Sequence, residues 1–219
     1  MISAWRIIEV LACFAIGAIP FAQLAVSGTG IDITKVGSKN PGFNNVLRVS
    51  TRPRAVFALI GDIAKGYLAL LLFASGQPSA LQWTMGIAAV MGHCWNPFLR
   101  WNGGKGAATT AGVMLFLAPP ITGVCLPLYP VLRLFGRRMK WKQEGAISTL
   151  ITMSAVATAV FVWRGVYAGV FAYIILAIVI LRHMPNIREI LGWKKKSEAA
   201  GRRQNVAAAA NSPPWQKRG

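Results

Sequence analysis

Apolar runs recur along this chain from one end to the other, and they limit its possible folds more than any single motif does. They fall at about Trp5 to Val26, Ala55 to Ser75, Ala80 to Met91, Gly106 to Leu117, Ile121 to Leu134, Ala146 to Trp163 and Val166 to Leu181. A bilayer crossing takes ~20 helical residues. The third and fourth runs are shorter than that, and both flank the loop from Gly92 to Lys105. Short helices facing a polar loop mark backbone that enters the membrane around a site. Of the 219 residues, 54% are hydrophobic and 14% charged, where a soluble domain carries roughly 25% charged residues. No space remains for a separate soluble core. The sequence therefore predicts an all-α integral membrane protein of seven helices, with a membrane domain over 1–193 and a basic tail over 194–219. The tail's composition predicts disorder, and its lysines and arginines suit anionic lipid headgroups.

Charge gives the orientation, because cytoplasmic loops accumulate Lys and Arg near helix ends. With seven spans, Lys65 lies inside a helix, only Arg6 and Arg164 fall on one side, and every other Lys and Arg falls on the opposite side. This places the N-terminus outside and the C-terminus in the cytoplasm. Merging helices around Gly76 to Ser79 and Pro119 to Pro120 would give five spans of the same parity. The net charge of +18, on a chain this apolar, points to membrane lipid and not to nucleic acid. The run from Ile7 to Val26 has crossing length and leads into a motif-rich loop, which reads as a span and not as a cleaved signal. The cysteines at 13, 94 and 125 suggest neither a disulfide framework nor a zinc site.

Two loops on the cytoplasmic side hold the polar residues that solubility does not explain. The first runs from Gly37 through Ser38, Lys39, Asn40, Pro41, Gly42, Phe43, Asn44 and Asn45 to Arg48. Glycines, a hydroxyl and amides flanked by cations suit a phosphate, which takes backbone N–H donors together with Arg or Lys. The second holds Gly92, His93, Asn96, Pro97 and Phe98, then Asn102, Gly103, Gly104, Lys105, Gly106, Ala107, Ala108 and Thr109. A glycine pair before a Lys at a helix start lets backbone approach a phosphate closely. Leu99 stands where a P-loop has its first glycine and Gly106 where it has Ser or Thr, which excludes that motif and nucleotide hydrolysis. Asp62 and Lys65, three apart inside a span, predict an ion pair that braces the site. His183 and Asn186, also three apart, face one side at the cytoplasmic boundary.

Phe98 stands where a His-x4-Asp acyltransferase would have its Asp, and no Gly-x-Ser-x-Gly elbow occurs. The six acids are too scattered to suggest a metal cluster or a carboxylate pair. No metal or organic cofactor is implied. Phosphate-binding loops without a nucleophile and base suit an enzyme whose substrates bring their own phosphates, and they equally suit a carrier for phosphate esters.

The run from Gly37 to Gly42 continuing to Asn45 and Arg48, with Asp62 and Lys65-Gly66, resembles the bacterial acyl-phosphate:glycerol-3-phosphate acyltransferases of the inner membrane. So do Gly92-His93, Pro97 to Leu99, Gly103 to Thr109, His183 with Asn186-Ile187, and Gly17 to Phe21 in the first helix. The resemblance covers most of residues 15 to 191. It implies transfer of a fatty acyl group from acyl phosphate to the 1-hydroxyl of glycerol 3-phosphate, giving lysophosphatidic acid and phosphate. No acyl-enzyme forms in the mechanism it implies, and a substrate phosphate is the base. A partner enzyme that makes the acyl phosphate is implied as well. By position, Arg48, Lys105, Ser148, His183 and Asn186 would hold glycerol 3-phosphate. Ser38, Asn40, Gly42 and Asn45 would shape the acyl-phosphate pocket, and Gly103, Gly104, Gly106 and Thr109 would bind substrate. Ser38, Arg48, Lys105 and His183 would carry the chemistry. The chain departs from the family pattern at Lys39, at Phe43-Asn44, at Gly145 and at Pro185. These departures keep open a third reading, an inactive relative with a structural role.

Overall fold

The computed structural model describes residues 4–193; the basic tail over 194–219 lies outside the described residues. Every regular element among them is helical: α1 Ala4–Gly17, α2 Phe21–Ala25, α3 Phe43–Val49, α4 Arg52–Phe73, α5 Ser79–Cys94, α6 Ala107–Leu117, α7 Pro119–Cys125, α8 Leu128–Arg138 and α9 Glu144–Ile190, with a 3-10 turn at Pro97–Leu99. Three helical stretches, Ala4–Ala25, Arg52–Phe73 and Glu144–Ile190, are long and apolar enough to cross a membrane.

Each of the seven apolar runs falls on helix, but four differ in detail from the reading of the sequence. The first is interrupted between Gly17 and Phe21, where Pro20 heads the short α2 and supplies no N–H. The fifth is two helices, α7 and α8, with Leu126 and Pro127 between them. Both residues keep right-handed helical dihedrals, so the split is a bend set by a proline that cannot donate its hydrogen bond. The sixth and seventh are arms of one 47-residue element, broken at Gly165 with φ 82° and ψ 175°. Past that turn the arms meet: Thr158 Oγ1 lies 3.0 Å from the Tyr173 hydroxyl, and a β-carbon on Gly169 would come 2.8 Å from Phe161 Cα. A residue with a side chain would be strained at Gly165's dihedrals, so this glycine makes the hairpin.

Small residues set how closely the helices pack, as van der Waals contact between membrane helices requires. In the α1–α5 pair, Gly17 lies on the Ala89 carbonyl and Gly92 lies on the Phe14 carbonyl; a β-carbon at either would overlap main chain. The α4–α6 pair repeats the device, with Gly66 against the Thr109 carbonyl and Gly112 against that of Ile63. The main core spans Cys13, Leu70, Met85, Val113, Val160 and Val179, and a smaller one gathers Val26, Ile33, Val46 and Ala58 around the first loop.

The chain divides into a unit ending at Arg182 and one beginning at His183. In the second, the helix continues through Pro185 to Ile190, and Gly192 follows at φ 70°, a left-handed residue that helices commonly use to end.

Candidate active site

The break after α1 creates the first polar feature. A helix end leaves its last carbonyls without partners, and here two side chains from other elements take them. Asn96 Nδ2 donates to Ala18 O at 2.6 Å, and Lys65 Nζ donates to Ile19 O at 2.8 Å. Lys65 also pairs with Asp62 Oδ1 at 2.7 Å and lies 5.9 Å from the Phe21 ring centroid. The ion pair expected inside this span is present, and both side chains are almost fully buried. A third group joins it: His93 Nδ1 stands 3.5 Å from the same Asp62 oxygen. A buried carboxylate is costly unless it is paired and hydrogen-bonded, and Lys65 and His93 together provide that.

The loop from Gly92 to Gly106 is built on His93. Its carbonyl accepts from Gly104 N at 3.1 Å. Arg182 clamps the other side, donating from Nε to Gly104 O at 3.0 Å and from Nη2 to Gly103 O at 2.7 Å. The Arg182 guanidinium also lies 5.7 Å from the Trp95 ring centroid. Asn96 starts the 3-10 turn by accepting from Phe98 N at 2.9 Å. The glycines are required by contact: a β-carbon on Gly103 would overlap the His93 carbonyl, and one on Gly104 would overlap His93 Nε2 and lie 2.8 Å from Pro41 O. The first loop therefore touches the second at Pro41. Gly106, at φ 83°, heads α6 in left-handed conformation with no side-chain cap, so the first-turn N–H groups of α6 are free of a capping side chain. Lys105 is half-buried beside them. Thr109 is fully buried, and its Oγ1 has no hydrogen-bond partner among the described residues.

One amide organises the first loop. Asn45, fully buried at the start of α3, donates Nδ2 to Ile33 O at 3.1 Å and to Val36 O at 3.0 Å, and accepts from Ser38 N at 2.8 Å. Asn45 thus shapes the loop from within. Ser38, Lys39 and Arg48 are exposed, and Asn40 and Gly42 are partly so. Lys39 sits at φ 58°, a left-handed position that most residues avoid. Upstream, Asp32 Oδ1 accepts from Thr34 N at 3.0 Å and from its hydroxyl at 2.6 Å. Those bonds and Lys35, 3.0 Å away, lower the Asp32 pKa to about 2.

Of the remaining candidates, Ser148 is fully buried in α9 and donates its hydroxyl to Glu144 O at 2.7 Å. His183 is buried and Asn186 half-buried in the last part of the same helix. Arg182, His93 and Asn96 do work that spacing alone did not assign to them. His93 and Asn96 stand in the second motif, but nothing in the motif reveals that they meet Asp62 and Ala18. Arg182 reads in sequence as one more tail cation. Among the described residues, no three His, Cys, Asp or Glu side chains converge as a metal site would require.

Comparison with known proteins bears on this arrangement. A family model described as glycerol-3-phosphate acyltransferase matches residues 7–193. The glycerol-3-phosphate acyltransferase of Laribacter hongkongensis is 36% identical over 210 residues, covering 87% of this chain and 98% of that one. That of Sulfurimonas denitrificans is 33% identical over 195 residues, covering 85% and 93%. The crystal structure of PlsY (YgiH), an integral membrane glycerol 3-phosphate acyltransferase, in its glycerol 3-phosphate form superposes with a TM-score of 0.76 at 26% identity, covering 86% of this chain and 93% of that one. Its lysophosphatidic acid form gives a TM-score of 0.74. This is a helical membrane protein, and the match spans nearly all of its described residues: the chain belongs to the glycerol-3-phosphate acyltransferase family.

Proposed function

We propose that this protein transfers a fatty acyl group from an acyl phosphate to the 1-hydroxyl of glycerol 3-phosphate, giving lysophosphatidic acid and inorganic phosphate. The observation that carries the reading is the Gly103–Gly106 loop. It is pinned by His93 and Arg182, opens onto the uncapped start of α6, and touches the first loop at Pro41. Fixed N–H donors next to a lysine suit a phosphate and a developing oxyanion. The relatives' name, and the glycerol 3-phosphate and lysophosphatidic acid forms of PlsY, favour this substrate and product.

In this reading Arg48 and Lys105 neutralise the phosphate of glycerol 3-phosphate, with Ser148, His183 and Asn186 completing its site. Ser38, Asn40 and Gly42, on the loop that Asn45 shapes, face the acyl-phosphate head. The glycerol 1-oxygen attacks the acyl carbonyl carbon, the bond from that carbon to the phosphate oxygen breaks, and the hydroxyl proton passes to a substrate phosphate. No acyl-enzyme forms, so positioning supplies the rate. The reading places the site on the cytoplasmic face of a bacterial inner membrane, in a seven-crossing chain with its N-terminus outside. An enzyme that makes acyl phosphate supplies the donor.

The test is an assay of purified protein with palmitoyl phosphate and glycerol 3-phosphate, following phosphate and lysophosphatidic acid together. Parallel wells receive acyl-CoA or acyl carrier protein thioester. Product with acyl phosphate alone is expected. Arg48→Ala and Lys105→Ala each remove charge-assisted contacts worth ~1.5 to 3 kcal/mol and should lower kcat/KM by about ten- to a hundredfold. Full activity in either variant contradicts the site, and flux of glycerol 3-phosphate without product would favour a carrier.

A further inference from the structure

α3 carries Arg48 in its last turn, and its first turn begins with Phe43 and Asn44. Both of these residues meet later elements of the chain, α8 and the start of α9. The Arg133 guanidinium of α8 lies 5.8 Å from the Phe43 ring centroid, within reach of a cation–π attraction that strengthens as the cation is desolvated. Arg133 is largely desolvated, with its side chain 14% exposed. Its Nη1 donates to the Tyr129 hydroxyl at 3.1 Å, and its Nη2 is 3.9 Å from Glu144 Oε1. Its Nε is buried with no acceptor among the described residues. The ring face and a shared carboxylate therefore stand in for part of its hydrogen-bond set. Glu144 begins α9 and is also 3.9 Å from Arg137 Nε. The next residue, Gly145, lies against Asn44: a β-carbon there would come 3.2 Å from Asn44 Nδ2. Within the next turn of α9 comes Ser148.

Two elements that carry proposed glycerol 3-phosphate ligands, α3 with Arg48 and α9 with Ser148, thus share a seam through Phe43, Arg133, Glu144 and Gly145. We infer that Phe43 and Arg133 are a positioning pair that sets the spacing of Arg48 and Ser148, and so the grip on glycerol 3-phosphate. This inference rests on the reading above, and neither residue is given a contact with substrate.

The experiment measures kcat and KM for glycerol 3-phosphate, at saturating palmitoyl phosphate, for the full-length protein and for Arg133→Met, Phe43→Leu, their double variant and Phe43→Tyr. Each disruptive single variant should raise KM about tenfold while kcat stays within about threefold. The double variant should be no worse than the worse single variant, since both break one contact, and Phe43→Tyr, which keeps a ring, should retain the wild-type KM. Additive losses in the double variant, lowered kcat at unchanged KM, or lowered Tm with wild-type kinetics would each overturn the pair. The glycerol 3-phosphate concentration for half-maximal thermal stabilisation reads the same grip without turnover and should rise about tenfold. An active wild type whose variants keep its KM defeats this inference alone. A wild type that neither turns over nor is stabilised defeats the functional reading and this one with it.

Discussion

The two loops that build the candidate site are held by opposite means. The loop from Gly92 to Gly106 is fixed through its main chain: Gly103, Gly104 and Gly106 are buried, His93 O takes the Gly104 N–H, and Arg182 takes the two glycine carbonyls. The loop ending in Arg48 is tied through side-chain amides, Asn45 at Ile33, Val36 and Ser38 and Gln23 at Ile31 and Ile33, while Ser38, Lys39 and Arg48 stand in the open. The first arrangement fixes donors in advance and has no room for an added atom. The second leaves its cations free to close on a ligand, and the part nearest them takes its shape from Asn45. Additions should therefore be ruinous in one loop, and a single deletion in the other.

The largest effect is expected at Gly104. Alanine there would place a carbon on His93 Nε2 and against Pro41 O, displacing the histidine that pairs with Asp62. Gly104→Ala should lose more than about a hundredfold in kcat/KM, equivalent to over ~2.7 kcal/mol, whereas Gly123→Ala, with nothing within 4 Å of its added carbon, should match wild type. An active Gly104→Ala enzyme would mean that the packed loop yields as readily as the open one.

Beneath that loop, Lys65→Met leaves Asp62 with His93 alone and takes one of two donors from Ile19 O, which keeps the Phe21 N–H. Breaking a buried pair from one side costs about 3 to 5 kcal/mol, read as a loss of Tm and yield. Wild-type stability in the Lys65→Met variant would show that His93 suffices to hold the carboxylate.

On the other side of the comparison, Asn45→Ala removes three hydrogen bonds at about 1 kcal/mol each without emptying a large volume. The expected outcome is a loop open to trypsin at Lys35 and Lys39 and a stability loss of about 2 to 3 kcal/mol, with the α5–α6 region still protected. Equal digestion of both regions would abolish the contrast.

Much of this was legible from residue order alone. Apolar length marked every helix but α3, which lies inside the first polar loop, Gly-Gly-Lys-Gly marked the packed glycine loop before α6, and the spacing of Asp62 and Lys65 marked their pair, because those signals are local. The break at Pro20 was harder to see, since the apolar run continues through it and only Asn96 and Lys65, 78 and 46 residues from the carbonyls they cap, reveal it. His93 and Arg182 escaped for the same reason. A histidine beside a carboxylate on another helix, and an arginine over a glycine loop 78 residues away, have no signature until helices pack. Asn45 stood out in sequence as a candidate pocket residue, but its inward bonds to Ile33, Val36 and Ser38 were not legible, because an amide that binds a ligand and one that binds its own loop look alike in sequence.

The smallest effect sharpens the comparison through pH. The stretch from Gly92 to Gly106 contains no Asp or Glu, whereas the approach to the first loop carries Asp32, whose bonds to Thr34 and Lys35 hold its pKa at about 2. A carboxylate with a depressed pKa stabilises the folded state fully above its unfolded value of about 3.9 and loses that contribution as pH falls toward its folded value. Asp32→Asn keeps an acceptor oxygen and removes the charge. Wild type should therefore melt slightly above Asp32→Asn at about pH 6, with the gap closing between about pH 4 and about pH 2 in parallel melting curves. Because the Asp32 side chain is 42% exposed, added salt should narrow the gap at the higher pH. A gap that persists unchanged into acid would assign the difference to the shape of the turn and not to the Asp32 charge.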